Sequence, residues 1–498
     1  MDNLEALLHG FSIAISVQHI LLMLLGVFLG IVVGVLPGLG APNGVSLLLP
    51  LTFGMQPVSA IILLSSMYWG ALFGGSVTSI LFNIPGEPSS VATTFDGYPM
   101  ARDGRPTTAL ATAFSSAAFG AFAGVVLITV AASWVASVAL EFGPAEYFAV
   151  YLLAFASFVG MGGTPPVKTL VALAIGFAIA AIGIDTVSGS VRLTMGVDEL
   201  VKGVNFVVAV MGLFGIGELL IAVEEEMHVR GVNSKVDWRE VFRTVGNMPK
   251  YWWTLLRSTA IGCWMGITPG GPTAASFMSY GIAKRFSRNG ANFGKGEPEG
   301  IIAPEAADHS AGTSALLPML ALGIPGSATA AVMMGGLMIW GLNPGPTLFV
   351  DQKDFVWGLI ASMYLGNVVA VLMVLLTVPL FAALMRVPFF IIAPLIVVIC
   401  TVGAYSVSNS YLDVMLMMGF GVVGYLFKKV QYPIAPLVLA IVIGDKAEDA
   451  FRQAMLLSGG SLRIFYANAL VTTLVTVAII LLLVPLFLTM YSKVVRRS

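Results

Sequence analysis

Charged residues are scarce in this chain. Of its 498 residues, 25 are Lys or Arg and 26 are Asp or Glu, which is 10 % of the sequence, whereas an ordinary soluble domain has about 25 %. A soluble globule of this length exposes more surface than so few charges can cover. The scarcity therefore excludes a soluble enzyme, a nucleic-acid-binding protein and a disordered chain. It leaves an all-α polytopic protein that crosses a lipid bilayer many times.

Other signals of chemistry are also missing. The chain has two cysteines, Cys263 and Cys400, and each lies inside an apolar run, where packing is more common than a disulfide bond. The four histidines do not follow a metal-ligand spacing. No HExxH motif, nucleophile–base arrangement or Walker A loop is present. We therefore expect no enzymatic activity and no cofactor, with Na⁺ as the one metal ion that could take part.

What the chain does contain is apolar residues, at 57 %, together with 55 Gly and 26 Pro. This length has room for roughly 10–14 membrane segments of about 20 residues. Gly and Pro cluster in four motifs that interrupt apolar stretches, and each should break a helix at membrane depth. Non-helical backbone is tolerated there only against protein or a water-filled cavity. The four motifs are GVLPGLGAPNG (34–44), NIPGEPSS (83–90), GITPGGPT (266–273) and GIPGSA (323–328).

These motifs form two matched pairs, which indicates an internal repeat. The first motif recurs at an offset of 232 residues and the second at an offset of 240. Broken helices at matching places in two halves are typical of secondary transporters. The prediction has three parts. Residues 1–222 form the first repeat, with a broken-helix region at 20–100 and scaffold helices at 106–222. Residues 223–256 form a cytoplasmic amphipathic linker. Residues 257–498 form the second repeat, with a broken-helix region at 257–342 and scaffold helices at 354–491.

Basic residues predict which loops are cytoplasmic. Segment 223–257 has six of them and loop 284–300 has four, whereas the counterpart of that loop near 54–57 has none. Loop 101–106 is basic and its counterpart at 343–354 is acidic. Equivalent loops therefore fall on opposite sides, which predicts inverted repeats. The same pattern makes 20–54 and 257–286 re-entrant hairpins and places the C-terminus in the cytoplasm.

Broken helices expose free N–H groups and a partial positive charge at their N-termini, which suit an anion. Hydroxyl and amide side chains crowd the same motifs, and such groups also suit a small cation such as Na⁺. The alternative is that they only satisfy backbone groups or pack helices. The candidate substrate-binding residues are Gly38, Gly40, Asn43, Ser46, Asn83, Gly86, Ser89, Ser90, Thr93, Gly270, Thr273, Ser276, Gly326 and Ser327.

Ionisable residues at membrane depth are costly and are usually functional. Glu87 follows the first break, and Glu305, Asp308 and His309 precede the second. These four are the candidates for cation or proton coupling, with a structural role at the membrane interface as the alternative. Asp96, in FDGYPMARDGR at the predicted cytoplasmic interface, fits a surface turn.

Three long stretches resemble the large transmembrane subunit of tripartite tricarboxylate transporters. They are GVLPGLGAPNGVSLLLPLTFGMQP, YWGALFGGSVTSILFNIPGEPSSVATTFDGYPMARDGR and PEAADHSAGTSALLPMLALGIPGSATAAVMMGGLMIWGLNPGP. The resemblance implies a cation-coupled importer of tricarboxylates, dicarboxylates or aromatic acids in the bacterial inner membrane. It also implies two partners, a small membrane subunit of about four helices and a periplasmic solute-binding protein. No nucleic acid is expected as a partner.

The resemblance carries over residue by residue at the Pro-Gly regions. It covers Pro37–Asn43, Asn83–Ser90, Pro269-Gly270 and Gly323–Ser327. The family often has Asn-Asn where this chain has Asp308-His309, which makes proton coupling a stronger alternative to Na⁺. We expect alternating access, with 20–100 and 257–342 moving like an elevator against a scaffold built on long helices at 107–140 and 355–385. A passive anion channel is the rival function, and an intramembrane enzyme is a weaker one.

Overall fold

The computed structural model of the protein describes residues 3–36, 39–161, 164–185, 188–224, 236–268, 271–384 and 389–495. Within these residues the structure is almost entirely helical, with one short antiparallel hairpin of β1 (Gly183–Ile184) and β2 (Val191–Arg192). The prediction of an all-α polytopic membrane protein is confirmed.

The first half of the chain contains ten helices in the described residues. They are α1 (Asn3–Ala14), α2 (Val17–Val35), α3 (Gly40–Leu48), α4 (Pro57–Phe82), α5 (Val91–Arg102), α6 (Pro106–Ala139), α7 (Pro144–Met161), α8 (Pro166–Ala180), α9 (Phe206–Val210) and α10 (Gly217–Glu224). A π-helical segment, Met211–Ile216, joins α9 to α10 into one span.

The second half begins with α11, in the predicted linker. Its helices are α11 (Trp238–Asn247), α12 (Trp252–Ile267), α13 (Gly271–Phe286), α14 (Glu299–Ser314), α15 (Leu316–Leu322), α16 (Ala328–Ile339), α17 (Leu348–Asp351), α18 (Lys353–Leu384), α19 (Phe389–Ser408), α20 (Tyr411–Lys429), α21 (Ile434–Leu457) and α22 (Ala469–Val495). The two long helices predicted at 107–140 and 355–385 correspond to α6 and α18.

Seven helices of the described residues are long and apolar enough to cross a membrane. These spans are Val17–Val35, Pro57–Phe82, Pro106–Ala139, Phe206–Glu224, Lys353–Leu380, Tyr411–Lys429 and Ala469–Leu488. Four shorter apolar helices add to them. The predicted 10–14 segments also count broken helices such as α12, α13 and α14, which have 16 residues each.

The two breaks have matching backbone geometry. The C-cap residue of α4 is Asn83 and that of α15 is Gly323, and both residues adopt the left-handed conformation, with φ of 58° and 69°. In each case the next N–H group bonds back across the last turn, from Ile84 to Thr78 and from Ile324 to Pro318. Such bonds satisfy carbonyl groups that a helix end leaves free. Both pairs of residues are 240 apart, which is the offset of the repeat.

A second contact repeats in the same way. A Cβ atom at Gly86 would meet the carbonyl oxygen of Gly34 at the end of α2, and one at Gly326 would meet the carbonyl oxygen of Gly266 at the end of α12. Only glycine allows backbones to approach this closely. Each break therefore packs directly on the first broken helix of its own half.

Two groups of helices emerge from the packing. Helix α6 packs most extensively on α14, and α18 packs on α1, α4 and α2. With α3, α5, α12, α13, α15 and α16, these helices form what we call the core group. Helices α7–α10 and α19–α22 form the frame group, in which α21 and α22 pack on α7 and α20 packs on the π-helical segment. The prediction placed α6 and α18 in the scaffold, and their contacts include α14, α4 and α2 of the predicted broken-helix regions.

Asp96 lies in the core group and is not the surface turn residue suggested by the sequence. It is 0 % exposed. Its Oδ1 accepts hydrogen bonds from four consecutive N–H groups, those of residues 294–297, at 2.8–3.1 Å. Its Oδ2 accepts one from the Tyr280 hydroxyl at 2.9 Å. Gly294 and Gly296, with φ of 88° and 90°, allow the loop to curl around the carboxylate. Asp96 thus joins α5 of the first half to the α13–α14 loop of the second.

Candidate functional site

A cavity of about 460 Å³ lies where the broken helices meet the frame group. This volume is within the usual range for a small-molecule site, about 300–1,000 Å³. The start of a helical segment reaches it four times, at Gly40 of α3, at Pro88 before α5, at Gly271 of α13 and at Ala328 of α16. N–H groups at helix starts lack intrahelical partners and carry a partial positive charge. This wall of the cavity therefore favours negative charge.

The frame group supplies the opposite wall. Phe158 of α7 and Phe214 of the π-helical segment contribute aromatic surface. Lys428, in the last turn of α20, and Glu218 of α10 form an ion pair at the same wall. Tyr432 and the first residues of α21 complete the lining. The cavity thus combines helix N-termini, apolar surface and one ion pair.

The two halves differ at their helix N-termini. In the first half the Glu87 carboxylate accepts a hydrogen bond from the Ala41 N–H and so caps α3. Ser327 is the equivalent residue in the second half, and its hydroxyl accepts a hydrogen bond of 3.1 Å from Ala330 of its own helix. Helix α13 has no acidic residue in its first turn. The first half therefore carries its own anion at this point and the second half does not.

Two buried hydroxyls at the cavity wall have no hydrogen bond of normal geometry within the described residues. The Tyr68 hydroxyl, on a side chain that is 1 % exposed, lies close to Ser327 and Thr329 without bonding to either. The Ser89 hydroxyl, on a residue that is 2 % exposed, is in the same position beside Asp308. Buried polar groups usually find partners, and both hydroxyls belong to residues that line the cavity.

A cluster of buried ionisable residues lies behind this wall. Glu305 of α14 accepts hydrogen bonds from Ser76 of α4 at 2.8 Å and from Thr93 of α5 at 2.6 Å. It therefore ties together three elements on both sides of the first break. Glu305 is 0 % exposed and has no Lys or Arg ion-pair partner within the described part of the chain.

His309 lies close to the carboxylates of Glu305 and Asp308 on the same helix. Its Nδ1 is 3.7 Å from a Glu305 oxygen and 4.0 Å from an Asp308 oxygen. The ring of Phe73 packs over the imidazole with centroids 4.5 Å apart. Glu87 lies near enough to Asp308 to interact electrostatically with it. The four ionisable residues predicted for coupling are therefore neighbours, and they connect the cavity to the interior of the core group.

The structure sorts the predicted substrate-binding residues into three sets. Those that line the cavity are Gly40, Asn43, Ser89, Thr273 and Ser327. Those placed elsewhere are Ser46, Asn83, Gly86, Ser90, Thr93, Ser276 and Gly326. Gly38 and Gly270 lie outside the described residues, as do Pro37 and Pro269.

Most members of the second set have a visible role in shaping the breaks. Asn83 ends α4, and the Ser46 hydroxyl donates to the Asn43 carbonyl at 2.7 Å. The Ser90 hydroxyl accepts a hydrogen bond from Ser79 and donates one to the Glu87 carbonyl, each at 2.9 Å. Gly86 and Gly326 make the close backbone contacts described above. These contacts agree with the alternative in which the residues satisfy backbone groups or allow helices to pack.

Sequence reasoning missed several residues of the cavity. A lysine such as Lys428 at the end of an apolar helix indicates only a cytoplasmic loop, and Tyr68 lies in an apolar helix without any motif. Phe158 and Phe214 look like ordinary membrane-helix residues. No local signal distinguishes these side chains, because α7, α10 and α20 are brought to the cavity by tertiary packing alone.

Comparison with known proteins places the chain in a family. The model of the tripartite tricarboxylate transporter TctA family matches residues 20–439. An uncharacterized 52.8 kDa protein in the TAR-I ttuC' 3'region of Agrobacterium vitis is 36 % identical over 498 residues, covering 99 % of this chain and 98 % of that protein. A second uncharacterized protein, from the TAR-II ttuC' 3'region of Agrobacterium vitis, is 34 % identical over 233 residues, covering 47 % of this chain and 96 % of that protein. No solved structure matches the chain.

Proposed function

The chain belongs to the tripartite tricarboxylate transporter TctA family, and from this we propose that it imports carboxylates as a binding-protein-dependent secondary transporter. The family is one of permease components. A small membrane subunit of about four helices and a periplasmic solute-binding protein are its proposed partners. We place the complex in the bacterial inner membrane with the C-terminus of this chain in the cytoplasm. The observation that carries the proposal is the cavity where four helical N-termini converge.

An anionic substrate fits this cavity for electrostatic reasons. The first turn of α13, which contains no acidic residue, lines the cavity, and so do Thr273 and Ser327 with their hydroxyls. A carboxylate accepts hydrogen bonds from such groups at little cost, because they are already oriented. The aromatic surface of Phe158 and Phe214 suits the carbon skeleton of an organic acid. Tricarboxylates, dicarboxylates and aromatic acids are the proposed substrate class.

Coupling to a cation is supported by the buried acids. Glu87, Glu305 and Asp308 are each at most 6 % exposed, so three ionised carboxylates would be strongly unfavourable without bound cations or protons. The hydroxyls of Ser76 and Thr93 are compatible with either H⁺ or Na⁺ at Glu305. We propose that these acids and His309 take up the coupling ion, with H⁺ and Na⁺ both open.

The packing supports an elevator-like movement with a different division from the one predicted. We propose that the core group, including α6 and α18, moves as one body against the frame group. The cavity lies between the two groups, and the Asp96 clamp ties both broken-helix regions into one unit. Thr164 and Tyr432 line the cavity from loops next to Lys168 and Lys429. Because basic residues favour the cytoplasmic side, we assign the open side of the cavity to the cytoplasm.

Reconstitution tests the function directly. The chain, the small subunit and the binding protein would be placed in liposomes, and uptake of labelled citrate, succinate and terephthalate measured under imposed Na⁺ or H⁺ gradients. We expect accumulation above the external concentration with at least one gradient. Equally fast uptake with both gradients collapsed, and no accumulation with either, would identify a passive channel and refute the coupled carrier.

A further inference from the structure

Lys428 is the one Lys or Arg among the described residues that line the cavity. Its ammonium group pairs with the carboxylate of Glu218, whose side chain is 5 % exposed, whereas that of Lys428 is 39 % exposed. The neighbouring Lys429 pairs with Glu224 at 2.6 Å and lies outside the cavity. Adjacent lysines of one helix end thus make similar ion pairs in different surroundings.

Stability alone does not account for an ion pair at this position. A half-exposed Lys–carboxylate pair contributes only about 0–1 kcal/mol to folding. Burial of Glu218 removes hydration from the carboxylate, and this cost offsets much of the attraction to Lys428. An ammonium group in the cavity lining does, however, add a full positive charge to the partial charges of the helix starts, in a lining that also contains the carboxylate of Glu87. A carboxylate ligand can take the place of Glu218 as its partner.

We propose that Lys428 binds one carboxylate of the substrate and that Glu218 is the ion-pair partner of Lys428 when the cavity is empty. The inference rests on the proposed function and adds a binding residue and a substrate requirement. A second carboxylate would accept hydrogen bonds at the opposite wall, from the first turn of α13 and the hydroxyls of Tyr68 and Ser327. Recognition at two walls selects acids with at least two carboxylates over monocarboxylates.

Direct binding to the purified full chain tests the proposal. Isothermal titration with citrate, succinate and benzoate would be compared for the wild type, Lys428→Met and Lys429→Met. Each substitution removes one basic residue from the same helix end, so effects on membrane orientation are matched. Loss of one charge-assisted contact predicts citrate and succinate binding weakened roughly 10- to 100-fold in Lys428→Met. Lys429→Met should bind within about twofold of the wild type, on the scale of an exposed ion pair.

Variants of Glu218 separate substrate binding from a structural role. Glu218→Gln leaves the ammonium without its competitor and should tighten succinate binding several-fold. Combining Glu218→Gln with Lys428→Met should bind as weakly as Lys428→Met, whereas a purely structural pair predicts recovery in the double variant. Lys428→Arg keeps the charge and should retain most of the affinity, which excludes misfolding as the cause of the loss.

Three outcomes would overturn the inference. The first is equal binding by the Lys428→Met and Lys429→Met variants, and the second is recovery of binding in the double variant. The third is weaker or unchanged binding by Glu218→Gln, a measurement that can still be made if Lys428→Met does not fold. In each of these the wild type still binds citrate or succinate, so the proposed function stands. A wild type that neither binds nor transports any carboxylate refutes the proposed function instead.

Discussion

Substitution of Asp96 by Ala tests how the two halves of the core group are held together. The change removes a buried carboxylate that accepts four backbone N–H groups and one hydroxyl. The N–H groups of residues 294–297 then face a cavity that offers no acceptor. We expect the α13–α14 loop to detach from α5 while the membrane helices stay folded.

The size of the effect follows from the number of bonds. A hydrogen bond to a charged acceptor contributes about 1.5–3 kcal/mol. Four donors at 2.8–3.1 Å share one oxygen, which has two lone pairs, so we count two full bonds and estimate about 3–6 kcal/mol. Each 1.36 kcal/mol is a factor of ten, so the loop amides should exchange roughly 100- to 10,000-fold faster in Asp96→Ala. Asp96→Asn keeps one acceptor oxygen and should give a smaller increase.

Hydrogen–deuterium exchange on the protein in lipid nanodiscs measures this quantity for a peptide that covers residues 294–297. Asp103→Asn is the matched control, since Asp103 ends the same helix and its side chain is exposed. The control should leave exchange in the loop unchanged. Unaltered protection of residues 294–297 in Asp96→Ala, with native protection elsewhere, would show that the carboxylate does not hold the loop and would refute the clamp.

Three further predictions concern the site and the packing. Glu305→Gln preserves the side-chain shape but removes the charge, and gradient-driven uptake should fall at least about tenfold, whereas the exposed acid variant Glu141→Gln should transport normally. Gly86→Ala brings a methyl group against the end of α2 and should lower stability by about 1–3 kcal/mol, while Gly54→Ala, which has open space around it, should not change the melting temperature. Burial raises the pKa of Glu297 above its ordinary value of 4.5. The ionised side chain therefore lowers the free energy of unfolding at pH values above the raised pKa. This destabilisation disappears as the pH falls below 4.5. Glu297→Gln should therefore raise the melting temperature at pH 8 and have little effect at pH 4.

The helix breaks and the long helices could be predicted from the sequence because their causes are local. Proline removes a donor and glycine permits the left-handed conformation, so the chain must leave the helix near Asn83 and Gly323 wherever the rest of it lies. Because these motifs act locally, the internal repeat could also be recognised from the sequence. Matching motifs produce matching contacts, such as Gly86 on Gly34 and Gly326 on Gly266.

Other parts of the site depend on contacts between distant residues and could not be predicted in this way. The sequence around Asp96 is typical of a turn. The role of Asp96 depends on a loop some 200 residues later, whose N–H groups donate hydrogen bonds to its carboxylate. From the sequence, Lys428 indicates only a cytoplasmic loop. Its place in the cavity lining depends on the packing of α20 beside α10. Burial, which decides the role of a charged residue, is a property of the tertiary fold and has no counterpart in local spacing.

The difference between the repeats bears on coupling. Two identical halves would present two equivalent helix starts to the cavity. In the first half the carboxylate of Glu87 bonds to the start of α3, whereas its counterpart Ser327 is uncharged and accepts a hydrogen bond from its own helix. An ionised Glu87 repels a substrate anion in the same cavity, and a protonated or cation-bound Glu87 does not. Cation binding at Glu87 and anion binding in the cavity would therefore favour each other, and linkage requires this coupling to be reciprocal. Exchanging Glu87 for Gln should uncouple the two, so that citrate affinity no longer changes with pH or Na⁺. If the dependence persists in Glu87→Gln, the coupling resides in Glu305, Asp308 and His309 alone.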